Sequence, residues 1–118
     1  MSWRLALLLA ALAWPAAADD RAPAFARCYA CHSTDPAQVD LPGPNLHKVI
    51  GRRAASLPGF RYSPAMRAAG ERGLVWTGKT LDRYLADPEA VVPGTSMGPP
   101  GLGTATERHA AIAHLAGN

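Results

Sequence analysis

Cysteine occurs twice in this chain, at Cys28 and Cys31, and a histidine follows the second at His32. Cys28-Tyr29-Ala30-Cys31-His32 is thus a C-x-x-C-H sequence, the attachment pattern of a c-type haem. Thiols three residues apart lie close together on a helical turn. From there both can add to the two vinyl groups on one side of a porphyrin, and the adjacent imidazole is held beneath the iron. Two other chemistries use paired cysteines. Thiol–disulfide exchange also employs C-x-x-C, but it needs a strand and a long helix around the motif, and neither is visible. A zinc site needs a fourth ligand and usually more sulfur, and the chain has no further cysteine.

A haem iron held by His32 leaves a sixth position, for which Met66, Met97, His47, His109 and His114 are the candidates. Met97 lies in Pro93-Gly94-Thr95-Ser96-Met97-Gly98-Pro99-Pro100-Gly101, a stretch that forms neither helix nor strand and has few reasons to bury an apolar side chain. Such a loop can lay a thioether on the second haem face, where a soft neutral sulfur favours ferrous iron. The plainer reading of Met97 is packing under the loop. Met66 falls in a helical segment and reads as core; the three histidines read as surface or structural.

These residues must be positioned by short helices. Alanine-rich residues from about Ala22 to Ala30 carry Phe25 and read as the first. Ser63-Pro64 starts a second that Gly70 ends. Thr80 caps a third, with Leu81, Tyr84 and Leu85 on one face, which stops near Asp87-Pro88. Thr104 and Glu107 have capping-box spacing before a fourth carrying Ala111, Ile112 and Leu115. No segment alternates as a strand does. The stretches 33–62 and 91–103 are rich in Gly and Pro and read as long loops, which something other than local propensity must organise.

Composition sharpens that point. The first 18 residues hold 15 of the chain's apolar residues, arranged as Arg4, the run Leu5 to Trp14, Pro15 and Ala16-Ala17-Ala18 before two aspartates. Charged start, apolar middle and small-residue end are the grammar of a cleaved secretory signal. The run would reach only ~15 Å as a helix, about half a bilayer's hydrocarbon core, so a retained membrane anchor is the weaker alternative. The domain then spans residues 19–118, in an exported, oxidising compartment. It has 17 Leu, Val, Ile and Phe residues beside 11 Gly and 10 Pro, with a net charge of +2. That excludes a transmembrane bundle, a multidomain enzyme and a disulfide-dense scaffold, and it looks too poor for an ordinary core.

From about Phe25 to Leu115 the chain resembles the class I cytochromes c of the mitochondrial and photosynthetic-bacterial type. The resemblance rests on Cys28-Tyr29-Ala30-Cys31-His32, Gly43-Pro44-Asn45-Leu46-His47, Gly51-Arg52, Gly59-Phe60-Arg61-Tyr62, Trp76, Leu81 to Pro88, and Pro93-Gly94-Thr95-Ser96-Met97, in matching order and spacing. It implies an all-α cytochrome c fold, about four short helices and long loops around one covalent haem c. Pro44 would offer its carbonyl to the far nitrogen of His32. Tyr62 and Trp76 would hydrogen-bond an inner haem propionate, with Arg52 compensating its charge. Tyr84 and Thr95 would lie near the Met97 sulfur and its haem face. Without the resemblance these are a turn proline, core aromatics, a surface arginine and a loop threonine.

The sequence departs from the family pattern in four places. Met66 stands where many members have an asparagine that orders a buried water, and Pro99 where mitochondrial members place an aromatic at the haem edge. Ser96 replaces a lysine before the axial methionine, and His114 an aromatic of the terminal-helix crossing. With only Lys48 and Lys79 after the signal, the family's lysine ring is thin, although Arg27, Arg52, Arg53, Arg67 and Arg72 can supply part of it.

The resulting expectation is a periplasmic monomer, not an enzyme, that shuttles one electron between redox proteins: a quinol–cytochrome c oxidoreductase, a terminal oxidase, a reaction centre or a dehydrogenase. It has no nucleic-acid partner and no membrane insertion after signal removal. Its chemistry is Fe(III)/Fe(II) cycling with both axial positions filled, which argues against gas binding or peroxidase activity. The alternatives are a dedicated cytochrome subunit of a periplasmic dehydrogenase complex and a haem-free thiol oxidoreductase. A haem also answers the missing core, because it is itself a large apolar body around which the loops can close.

Overall fold

A computed structural model describes residues 23–97 and 103–118. The segment read as a signal, residues 19–22 and Pro99 lie outside these residues.

Helix α1 spans Pro64–Glu71. Ser63 is its extended N-cap and accepts the Met66 N–H at 3.1 Å, while Pro64 occupies the first turn, where no N–H is needed. Its end differs from expectation. Gly70 stays inside the helix, and Gly73, at φ +90°, is the left-handed residue past it. The Leu74 N–H bonds to Ala69 O at 3.1 Å and the Gly73 N–H to Gly70 O at 3.0 Å, the paired closure of a Schellman end. Gly70 instead serves packing, since a methyl there would strike the carbonyl oxygen of Ala54 and lie 3.1 Å from its carbon. The helix therefore presses its glycine onto the backbone of the preceding loop.

Helix α2 spans Gly78–Ala86 and is capped by Thr77 rather than Thr80. Thr80 is the third helical residue. Its hydroxyl accepts the Thr77 N–H at 2.8 Å while Thr77 Oγ1 accepts the Thr80 N–H at 3.1 Å, so two threonines make a reciprocal capping box. The α2 helix stops where expected, and Asp87 at once caps α3, Pro88–Val91, through the Ala90 N–H. Helix α4 spans Ala105–Ala116, with Thr104 accepting the Glu107 N–H at 3.1 Å as expected. The alanine-rich start is not the expected continuous helix. A 3-10 turn over Pro23–Phe25 leads into turns in which the Phe25 carbonyl accepts the N–H groups of Cys28 and Tyr29. So short a run is below the length at which alanine alone sustains a helix.

Among the described residues the one β-type pairing is an isolated antiparallel bridge, Arg53 to Val75. Around it Gly51 N–H bonds to Trp76 O, Trp76 N–H to Arg52 O and Ala54 N–H to Leu74 O, which sets Arg52 beside Trp76. Helix α4 packs across α2 and onto the 3-10 turn. Arg108 Nε donates to Asp82 at 2.8 Å across the first contact, and the His114 ring lies 4.9 Å from that of Phe25 across the second. His114 thus fills the place of the aromatic that the family pattern would put there.

The buried core is thin. It holds Phe25, Val49, Leu81, Leu85, Val92 and Leu115 with Trp76, Tyr84 and three alanines. Among the described residues only six Leu, Val, Ile or Phe side chains are buried, so the shortage seen in the composition persists in the fold.

Candidate functional site

A cavity of ≈ 640 Å³ runs through the middle of the chain, a size suited to a cofactor. Cys28, Cys31, His32, Met66 and Met97 all line it, as do Pro44, Arg52, Tyr62, Trp76, Tyr84 and Thr95. Both methionine candidates, the attachment motif and every residue to which the family resemblance assigns a role therefore meet one cavity. His47, His109 and His114 do not line it, which removes them from the candidate ligands.

The cysteine segment is held by two closed turns. The Cys28 carbonyl accepts the N–H groups of both Cys31 and His32, at 3.0 and 2.9 Å, which brings both sulfurs and the imidazole to one side. The thiols are free, Cys28 half-buried and Cys31 exposed. Burial pushes the Cys28 thiol above its ordinary pKa, against the opposing pull of Arg27.

His32 is oriented from behind. Its Nδ1 lies 2.8 Å from the carbonyl oxygen of Pro44. A carbonyl only accepts, so Nδ1 carries the proton and Nε2 keeps its lone pair. Burial lowers the pKa of the ring, partly offset by that hydrogen bond, and the neutral ring is the form that binds metal. Gly43 makes the arrangement sterically feasible: a methyl there would lie 2.6 Å from His32 Nδ1 and 2.8 Å from Nε2. The chain must therefore cross the ring face without a side chain, and only glycine allows that approach.

Loop 33–47 is fastened by a residue whose role sequence reasoning missed. Asn45 is 7% exposed. Its amide donates to Asp35 O at 2.6 Å and Gln38 O at 2.9 Å, and its Oδ1 accepts the His47 N–H at 2.8 Å. Gly43 and Leu46 N–H groups bond back to the carbonyls of Cys31 and Ser33. A lone asparagine in a Gly/Pro loop was the available signal, since its amide can replace absent backbone pairing.

Arg52 is half-buried against the same loop. Nη1 donates to Asn45 O at 2.8 Å and Nη2 to His47 O, so it is a wall residue rather than part of a surface ring. Tyr62 OH accepts the Leu57 N–H at 3.2 Å, and its ring meets that of Phe60 edge-on at 4.8 Å. Trp76 and Tyr84 pack with centroids 5.0 Å apart.

The second wall comes from the loop after α3. Tyr84 OH and Thr95 Oγ1 lie 2.7 Å apart, and Thr95 Oγ1 also accepts the Met97 N–H at 3.3 Å. Burial raises the Tyr84 pKa, eased by the threonine hydroxyl, so the phenol keeps its proton and the link holds. Helix α2 thus tethers Met97 through one threonine. Met66 reaches the cavity from the first turn of α1 and also packs against the core.

The donor set fits a c-type haem: two thiols on one side, a nitrogen ligand with its tautomer fixed, thioethers from other elements, and a lining of apolar residues with arginines and tyrosines.

No family model matches the chain. Curated relatives do. Cytochrome c2 of Afifella marina is 46% identical over 91 residues, 77% of this chain and 73% of that protein. Cytochrome c2 of Rhodomicrobium vannielii is 42% identical over 119 residues, covering 96% and 93%. Among solved structures, cytochrome c2 from Rhodospirillum Centenum superposes with a TM-score of 0.73 at 36% identity, over 79% of this chain and 90% of that one.

Proposed function

Because the chain belongs to the cytochrome c2 family of class I cytochromes c, and so is a one-electron carrier with a single covalent haem c rather than an enzyme, we propose that His32 and Met97 are its axial ligands. Cys28 and Cys31 carry the two thioether links. When bound, the haem would supply the Fe(III)/Fe(II) couple for one-electron transfer.

The observation that carries this reading is the convergence of Cys28, Cys31, His32 and Met97 on one cavity, with His32 Nδ1 tied to Pro44. The chain's residues divide the remaining work. Pro44 and Gly43 hold the imidazole, Tyr84 and Thr95 hold the Met97 loop, and Arg52, Tyr62 and Trp76 receive a haem carboxylate. Burial holds the Cys28 thiol above its ordinary pKa, which disfavours a haem-free thiol oxidoreductase, whose nucleophilic cysteine needs a lowered one.

We place the protein in the periplasm after removal of residues 1–18, as a monomer serving redox proteins through small, transient contacts. No described helix is long and apolar enough to cross a membrane.

Protein made in a host that matures cytochromes c tests the assignment. His–Met ligation gives a sharp reduced α-band and a weak ferric absorption at the red end of the spectrum. Met97→Ala should abolish the ferric band, lower the potential and admit small ligands to the iron, while Met66→Ala should keep the band. The reverse pattern assigns the ligand to Met66, and no covalent haem in the parent protein refutes the reading.

A further inference from the structure

The cavity lining has a lopsided charge. Three arginines contribute to it, Arg27, Arg52 and Arg61, and no aspartate or glutamate does. Arg52 is committed to the carbonyls of Asn45 and His47. Arg61, which separates Phe60 from Tyr62 in the sequence, is exposed, and its side chain has no ion pair or hydrogen bond among the described residues.

A haem c brings two carboxylates, whose arms leave the porphyrin edge away from the vinyl positions that the cysteines capture. Arg27 adjoins Cys28 and so stands at the vinyl end. The other end has two negative charges to accommodate, and Arg52 supplies a single positive one. An uncompensated carboxylate at a partly buried site is costly.

We propose that Arg61 is a positioning residue for the haem, its guanidinium pairing with the carboxylate that Arg52 leaves uncompensated. The inference rests on the haem reading above and adds a residue to it. Its consequence is electrostatic: removing the cation exposes the iron to more negative charge, stabilises the ferric state and lowers the reduction potential.

The test uses holoprotein with Arg61→Gln, Arg61→Lys and, as a control for loss of one exposed positive charge, Arg72→Gln, whose side chain does not line this cavity. Arg61→Gln should lower the equilibrium constant for reduction about three- to tenfold, a fall of about 28 to 59 mV given about 59 mV per tenfold for one electron. It should also shift the haem propionate bending bands in the resonance Raman spectrum. Arg61→Lys should recover most of the potential, and Arg72→Gln should change the constant less than about twofold, as expected of a screened surface charge. Equal small falls in Arg61→Gln and Arg72→Gln, or unmoved propionate bands, overturn the proposal. Covalent haem and the ferric red-end band in all three variants report separately on the functional reading.

Discussion

Gly43 and His32 show how much one missing methyl group can decide. The backbone at Gly43 crosses the imidazole so closely that a β-carbon would lie 2.6 Å from Nδ1, while the next residue anchors that nitrogen through its carbonyl. Gly43→Ala must therefore push the ring or the loop aside. Overpacking of this kind costs about 1–3 kcal/mol, which lowers the melting temperature of a domain of this size by several degrees, at about 4–8 °C per kcal/mol. Because the displaced group is the proposed iron ligand, the ferric red-end band should weaken as well. A Gly43→Ala holoprotein with parental melting and an unchanged spectrum would contradict this account. At this scale the proposed ligands and attachment residues were legible in the sequence, since Cys28, Cys31 and His32 stand out by type and spacing and Met97 by its place in a Gly/Pro loop. Asn45 and Gly43 were not, because an asparagine amide or an absent β-carbon acquires meaning only from the backbone brought next to it.

Among the elements, the two glycines at the end of α1 invert the simple expectation. Helix propensity favours alanine over glycine by about 1 kcal/mol, so Gly70→Ala would help an isolated helix. In the fold its β-carbon would meet the carbonyl of Ala54, which is backbone and cannot swing away. The steric cost, about 1–3 kcal/mol, is the larger one, and the variant should melt below the parent in a calorimetric scan. Thr77→Ala should also destabilise, by about 1 kcal/mol, through loss of the helix cap; the same change at Thr80 removes the other half of the box. If Gly70→Ala melts higher, the close packing of α1 on the 51–54 loop is wrong. Ser63, Thr104 and the stop at Asp87 were readable because caps and proline act locally. The exchange of Thr80 for Thr77 as cap, and of Gly70 for Gly73 as terminator, was not, because each pair offers the same residue type three positions apart. For the glycines, the contact of Gly70 with the Ala54 backbone made the difference.

The described residues form a shell of loops and short helices with a large cavity beside a thin core. Left dry, ≈ 640 Å³ would cost on the order of 15 kcal/mol at about 24 cal/mol per Å³, as much as the entire stability of a typical domain. Water entering the cavity reduces that figure, but it also wets Phe25, Val49, Leu81, Leu85 and Leu115, five of the six buried Leu, Val, Ile and Phe side chains among the described residues. The haem-free chain should therefore be largely unfolded, with weak far-ultraviolet helical dichroism and no cooperative thermal transition, whereas the holoprotein shows both. A cooperatively folded apo-protein would refute the view that the haem completes the core.

The chemistry, and the shortage of core that it must remedy, are both readable from the order and types of the residues. Residue types and a spacing of three carry the attachment motif, Ser63 and Thr104 carry two helix starts, and composition alone shows that the chain lacks an ordinary core. Which residues share a wall emerges in the folded chain alone: Arg52 stands beside Trp76 across an isolated bridge, Tyr84 reaches the Met97 loop through Thr95, and Arg61 faces the same cavity as the distant cysteines. The physical reason is range. Bond geometry and capping act over a few residues, whereas a cavity wall is assembled from backbone approaches between distant segments, whose partners no local pattern names.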